Sequence, residues 1–142
     1  MIYTDHVAVI RSEQLGGFFV GWPNPPQPDT HLRLLEGSSH ALLAVDDATG
    51  KVVGFITAIS DGVLSAYIPL LEVLPTYQGQ GIGTQLVSRM IEKLNHLYMV
   101  DLLCDESLQP FYRQLGMHQA DGMMLRHFNR QSGALGDEQR QA

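Results

Sequence analysis

The segment Gln78-Gly79-Gln80-Gly81-Ile82-Gly83 carries three glycines in five positions. It follows a strand-like run, Leu70-Leu71-Glu72-Val73-Leu74, and precedes a helix-like run from Thr84 to Leu94. Glycines strip side chains from such a turn, and the first N–H groups of a helix have no intrahelical acceptors. Bare donors at the positive end of a helix dipole suit an anion such as a phosphate. The spacing narrows the choice. A nucleoside-triphosphate loop requires G-x-x-x-x-G-K-[ST], and no lysine follows Gly83. A dinucleotide fingerprint requires G-x-G-x-x-G, whereas this chain reads G-x-G-x-G. On the turn alone, a glycine-rich bend with no ligand stays open.

Other reactive side chains are sparse. Glu72 is the only charged residue between Asp61 and the glycine turn. A carboxylate in an apolar strand implies a proton-transfer role, a solvated face, or an ion pair with a residue such as Arg89 or Arg113. Cys104, the only cysteine, could carry an acyl group, but a lone cysteine ending a strand reads more readily as a small buried hydrophobe. The six histidines show no metal-ligand spacing, so no metal is expected.

These residues must be held by an ordered set of elements. Residues 6–10 are a strand candidate, and 13–20 a short helix weakened by Gly16-Gly17. Four prolines between 23 and 28 rule out regular structure there. A second helix runs to Leu35, capped by Asp29 or Thr30 and stopped by Gly37. Strands follow at 40–46, 51–60 and 63–74, with Asp61-Gly62 as a tight hairpin signal and Pro69 demanding a bulge, edge or bend. The helix from about Gly81 to Lys93 presents Ile82, Leu86, Val87, Met90, Ile91 and Leu94 on one face. A strand at 97–104, a helix at 110–115 with Pro110 in its first turn, and a closing hairpin over 117–128 complete the order. An antiparallel meander joined to a β-α-β crossover predicts an α+β sheet with helices on its faces.

The chain's 142 residues, 44% hydrophobic and 17% charged, fit one folded domain over residues 1–128. Residues 129–142 read as a polar, disordered tail. A net charge of −6 with no basic run argues against a nucleic-acid partner. No run of about 18–20 apolar residues is present to cross a membrane. A single cysteine and a start without a signal-peptide pattern predict the cytosol.

The pattern Gln78-x-x-Gly81-x-Gly83, after a strand ending Val73-Leu74-Pro75, resembles the acetyl-CoA pyrophosphate loop of the GNAT N-acetyltransferase family. The resemblance continues through Pro110-Phe111-Tyr112-Arg113-Gln114-Leu115-Gly116-Met117, similar to that family's aromatic-Tyr helix ended by Leu-Gly. It covers about residues 52–118, as in a small, bacterial-type, single-domain member. It implies a mixed, mostly antiparallel sheet of six or seven strands flanked by about four helices, splayed between its fourth and fifth strands. It implies acetyl-CoA as cosubstrate and transfer of acetyl to a primary amine of a small molecule or peptide, by direct attack in a ternary complex. A non-catalytic acetyl-CoA-binding regulatory domain and a protein-lysine acetyltransferase are the alternatives.

The same resemblance assigns residues. Backbone amides of Gln78, Gly79, Gln80, Gly81, Ile82, Gly83 and Thr84 would bind the pyrophosphate. Strand residues around Leu71, Val73 and Leu74 would pair with the pantetheine arm, and an amide near Val73 would polarise the thioester carbonyl. Tyr112 is the candidate acid for the leaving thiolate, or else packs on the sheet. Phe111 belongs to the core or walls the cofactor. Glu72 is the candidate base for the amine, and Tyr67 a second site candidate whose face a bulge near Pro69 leaves open. The Trp22-proline segment could wall the acceptor pocket or simply pack on the core. An exposed sheet edge or the closing hairpin could pair two copies as a homodimer.

Overall fold

A computed structural model of the chain describes residues 1–134. Nine regular elements form the fold: β1 (Ile2–Thr4), α1 (Pro28–Gly37), β2 (His40–Val45), β3 (Val52–Ser60), β4 (Ser65–Tyr67), β5 (Leu71–Val73), α2 (Ile82–Lys93), β6 (Met99–Asp101) and α3 (Gln109–Gln114). The sheet is antiparallel from β1 through β3 to β4 and β5. It turns parallel where β4 meets β6.

β3 is the central strand. Seven consecutive residues, Val52 to Ala58, are buried, because a strand covered on both faces has no solvent side. Its neighbours Gly54 and Phe55 point to opposite layers. A Cβ on Gly54 would meet Leu86 at 3.1 Å and Ile82 at 3.2 Å, so glycine here allows α2 to pack close to the strand. Phe55 faces the other layer, where its ring meets Phe18, Phe19 and His31 at centroid distances of 5.2, 6.0 and 4.3 Å. The expected apolar face of α2 is the one buried: Ile82, Leu86, Val87 and Met90, with Leu94 just beyond the helix.

The bend expected at Pro69 is a β-bulge. Ile59 pairs with Tyr67 and Ile56 with Leu71, so three residues, 68–70, oppose two, 57 and 58. The single strand expected over 63–74 is therefore two short ones. The extra residue also flips the side-chain phase. Tyr67 and Glu72 lie opposite Ile59 and Phe55, four apart on β3, and so share a face although they are five positions apart in sequence.

The bulge explains the splay. β4 continues across to β6 through Ser65↔Met99 and Tyr67↔Asp101, whereas β5 pairs with β3 alone. The opening between β5 and the course of the chain after β6 is the one expected between the fourth and fifth strands.

Several boundaries differ from the sequence reading. The first strand is at 2–4, and residues 7–9 form a 3₁₀ turn. The helix expected over 13–20 is only a 3₁₀ turn at 12–14, because two glycines and a positive φ at Phe19 break it. Pro28 is the first residue of α1 rather than part of the irregular segment, and Gly37 lies inside the helix. Three α-helices stand where about four were expected. The hairpin over 117–128 has no paired strands; Met123, Met124, Leu125 and Phe128 are exposed along it. The tail expected from 129 starts as a placed segment: a 3₁₀ turn at 128–130 precedes Gln131, whose side-chain Oε1 accepts from the Asn24 N–H at 2.9 Å. Residues 135–142 of that expected tail lie outside the described residues.

Candidate active site

The turn after β5 is made of left-handed backbone. Gly79 and Gly81 have φ of 79° and 84°, a conformation costly for side-chain-bearing residues. Nothing lies within 4 Å of a Cβ built on either. Conformation, not crowding, requires these glycines, and the space in front of the turn is open. Gly81 is the N-cap of α2, and Gln85 is the first residue to donate back into the helix, to the Gly81 carbonyl at 3.0 Å. Among the described residues, none of the N–H groups from Gly79 to Thr84 has an acceptor. A run of unpaired donors thus faces one open space at the positive end of a twelve-residue helix.

β5 offers a second set of free backbone groups. Leu74 N–H donates to Val53 at 2.8 Å, and Thr57 N–H to Leu70 at 3.1 Å. Even-numbered residues therefore bond toward β3, and Leu71 and Val73 present their N–H and C=O groups to the free edge. The Val73 carbonyl is taken by Gln78 Nε2 at 2.9 Å, which ties the glycine turn to the strand. The Val73 N–H stays available, as an amide donor to a bound carbonyl must be.

These two edges enclose a cleft of about 520 Å³. Leu71, Glu72 and Val73 form one wall, the glycine turn the floor, and Phe111 and Tyr112 of α3 the opposite wall. A Cβ on Gly83 would touch Phe111 at 3.7 Å and Val73 at 3.8 Å, so this glycine keeps the passage between the walls clear. Among the described residues, no Lys or Arg lines the cleft. Any anion held here is held by main-chain donors and the helix dipole.

Tyr112 is buried, and its ring meets Phe111 edge-on at 4.9 Å. Burial, with a smaller effect from Cys104, pushes its phenol up to about 12. It stays protonated at neutral pH and keeps its O–H proton to donate. Full proton transfer to a thiolate of ordinary basicity, near ~8.5, would run uphill.

Glu72 has a partner other than the arginines considered from sequence. Its two carboxylate oxygens accept from the Phe19 N–H at 2.7 Å and the Val20 N–H at 3.2 Å. Phe19 is the only described non-glycine residue with positive φ, at 62°. The carboxylate thus secures a strained corner of the loop before α1, while Glu72 remains the one carboxylate lining the cleft.

Most expected residues come together here: Leu71, Glu72, Val73, Gln78, Gly79, Gly81, Ile82, Gly83, Thr84, Phe111 and Tyr112 all line the cleft. Gln80 does not line it. Leu74 does not reach it: its N–H is used by β3 and its buried side chain lies under Gly17. Tyr67 shares the Glu72 face but lines a different groove, with Asp101 and the segment 115–126. Cys104 is half-buried beside Tyr112, in a small cavity it shares with His118, with no hydrogen bond to it. Among the described residues no three His, Cys, Asp or Glu side chains gather as a metal site requires.

The structure adds residues that spacing did not single out. Tyr77 lines the cleft and donates its hydroxyl proton to Asp46 at 2.7 Å, which raises the phenol and lowers the carboxyl. Phe19 and Gln131, far apart in sequence, both border a second cavity beyond Glu72.

Comparison with known proteins shows the family. A model of the "Acetyltransferase (GNAT) family" matches residues 7–117. A candidate acetyltransferase of known crystal structure from Deinococcus radiodurans R1 is 43% identical, with a TM-score of 0.91 over 95% of this chain and 94% of its own. A GNAT-family acetyltransferase from Streptococcus pneumoniae TIGR4 is 29% identical, with a TM-score of 0.71 over 89% and 97% of the two chains. An uncharacterized N-acetyltransferase of Pyropia yezoensis is 30% identical over 100 residues, 68% of this chain and 58% of its own length. The chain spans less than two thirds of the length of the curated relatives it matches first.

Proposed function

The chain belongs to the GNAT acetyltransferase family, and from that premise we propose that it transfers an acetyl group from acetyl-CoA to a primary amine by direct attack in a ternary complex. The observation that carries this reading is the run of unpaired N–H donors from Gly79 to Thr84 beside the free edge of β5. Six consecutive amides suit a pyrophosphate, and the free edge suits the amide-bearing arm that follows it.

Acetyl-CoA supplies an acyl group already activated as a thioester. The chain's residues then do five things. The glycine turn fixes the pyrophosphate, and Leu71 and Val73 align the arm along β5. The Val73 N–H donates to the thioester carbonyl as negative charge develops on its oxygen. Glu72, directly or through a water, accepts the proton that an ammonium must lose before its nitrogen can attack. The N–C bond forms, the C–S bond breaks, and Tyr112 donates a hydrogen bond to the departing sulfur. The second amine proton leaves to solvent or to the thiolate.

Calorimetric titration of acetyl-CoA into the wild type and Gly81→Glu tests the donor site. Binding that is lost in the variant is the expected result; equal affinity would sink the assignment. A thiol-release screen over amines, amino acids, polyamines and peptides then tests turnover.

A further inference from the structure

A second cavity, of about 310 Å³, lies beside Leu70, the residue just before β5. Leu70 lines it, and the next residue, Leu71, lines the cleft. Phe19 lines it too, and the Phe19 N–H is held by Glu72, which lines the cleft. The Glu72 carboxylate, which lines only the cleft, therefore ties a wall of the cleft to a wall of the cavity. An amine whose body lay in this cavity would present its nitrogen toward Glu72 and the cleft.

The walls state what kind of body fits. Phe19, Trp22, Pro26, Leu34 and Leu70 make the cavity largely apolar. The Phe19 and Trp22 rings meet at 4.9 Å and 56°, forming a corner. Trp22 remains 38% exposed on its proline-rich segment. A partly exposed indole bordering a cavity is surface available to a ligand. The C-terminal segment closes one side: Gln131 accepts from the Asn24 N–H, and Gly133 lies so close to α1 that a Cβ would meet Thr30 at 3.0 Å.

The charge of the cavity runs against the charge of the chain. The protein carries −6 overall, yet among the described residues the only charged side chain lining this space is Arg33. Arg33 is exposed and has no ion-pair or hydrogen-bond partner among the described residues. A polyamine or a lysine-rich peptide would meet a cation there. A carboxylate would meet a guanidinium able to bind both of its oxygens.

We infer that this cavity receives the acceptor, and that the acceptor is an amino-carboxylate with an apolar, ring-sized body. Its ring packs in the Phe19–Trp22 corner, its carboxylate pairs with Arg33, and its amine faces Glu72. This rests on the acyl-donor reading above, and the test separates the two. Thiol release is measured with acetyl-CoA and four acceptors: 4-(aminomethyl)benzoate, phenylalanine, benzylamine and spermidine. At least one of the two amino-carboxylates shows a KM tenfold or more below that of benzylamine, and spermidine is the poorest acceptor. Arg33→Gln raises the KM for that amino-carboxylate about tenfold and abolishes its advantage over benzylamine; Arg33→Lys restores part of it. Calorimetry with the amino-carboxylates gives the same ranking without turnover. Spermidine as the preferred acceptor, an Arg33→Gln effect equal for benzylamine and amino-carboxylate, or amino-carboxylates that neither bind nor react while acetyl-CoA binds, overturns the acceptor assignment alone. A wild-type chain that fails to bind acetyl-CoA removes the donor reading and this inference with it.

Discussion

The Glu72 carboxylate caps the main chain of Phe19, accepting its N–H at 2.7 Å and that of the next residue at 3.2 Å. One side chain thereby belongs to two structures at once, the wall of the donor cleft and the corner of the neighbouring cavity. Glu72→Gln separates its duties. An amide keeps one oxygen for Phe19 but turns an NH₂ toward Val20, leaving an N–H unpaired at a cost of about 1–3 kcal/mol. It also cannot accept a proton, so kcat falls tenfold or more. Denaturant melts and steady-state rates on the folded fraction check this; stability lost with kcat retained would make Glu72 a brace and no base.

Gly81 and Gly83 should fail in different ways. Gly81 has φ of 84° with open space around it, so Gly81→Ala strains the backbone by roughly 1–2 kcal/mol without blocking the cleft. Gly83 sits between Phe111 and Val73, where a Cβ fits and a longer side chain does not. Gly83→Leu therefore lowers acetyl-CoA affinity tenfold or more with the smaller loss of melting temperature. Thermal melts paired with calorimetry distinguish the two.

Tyr112→Phe removes a hydroxyl that has no protein hydrogen-bond partner among the described residues. Stability should change by less than about 0.5 kcal/mol. Acetyl-CoA affinity should hold, and kcat should fall about tenfold or more, because the lost donor serves only the leaving sulfur. Because the phenol titrates only near 12, the wild-type rate should show no Tyr112 ionisation between pH 7 and 10.

His31 makes acid stability a readout of the core. It is 1% exposed, its two ring nitrogens lack hydrogen-bond partners among the described residues, and the Phe18, Phe19 and Phe55 rings surround it. Burial holds it down at about 4 against an ordinary 6.5. Between those values the unfolded chain binds the proton and the folded chain does not. Stability is therefore complete above pH 6.5 and declines as pH falls toward 4, by at most roughly 3 kcal/mol from this residue. His31→Phe should flatten that part of the curve, measured as unfolding free energy from pH 7.5 to 4. A curve parallel to the wild type would refute the assignment.

The glycine turn was legible from a local rule, the glycine run between a strand and a helix, whereas the β5 wall and the Phe111-Tyr112 helix were assigned to the site by the resemblance to the GNAT family. Pro69 announced a bulge, an edge or a bend, and only the pairing of Ile59 with Tyr67 and Ile56 with Leu71 selected the bulge and the face Glu72 takes. The partners of Glu72 were not legible. An acid in a strand calls for a cation in sequence terms, whereas here two amides more than fifty residues away satisfy it. Gln131 was hidden for the same reason, since its role depends on a bond to Asn24 across 107 positions. The strand placed at 6–10 failed because three residues of 3₁₀ turn carry the same apolar composition as a short strand.

The cleft without lysine or arginine has a consequence for the chain's own chemistry. A thioester attacks no one in particular; it acylates whichever amine reaches it first. This chain has two lysines, and each is occupied elsewhere, Lys51 on the Gly16 carbonyl and Lys93 on Asp5, both at 3.0 Å. Its amino terminus is likewise held, by Asp47 at 3.3 Å. Among the described residues, a donor seated on the glycine turn would therefore find neither lysine nor amino terminus of its host lining the cleft.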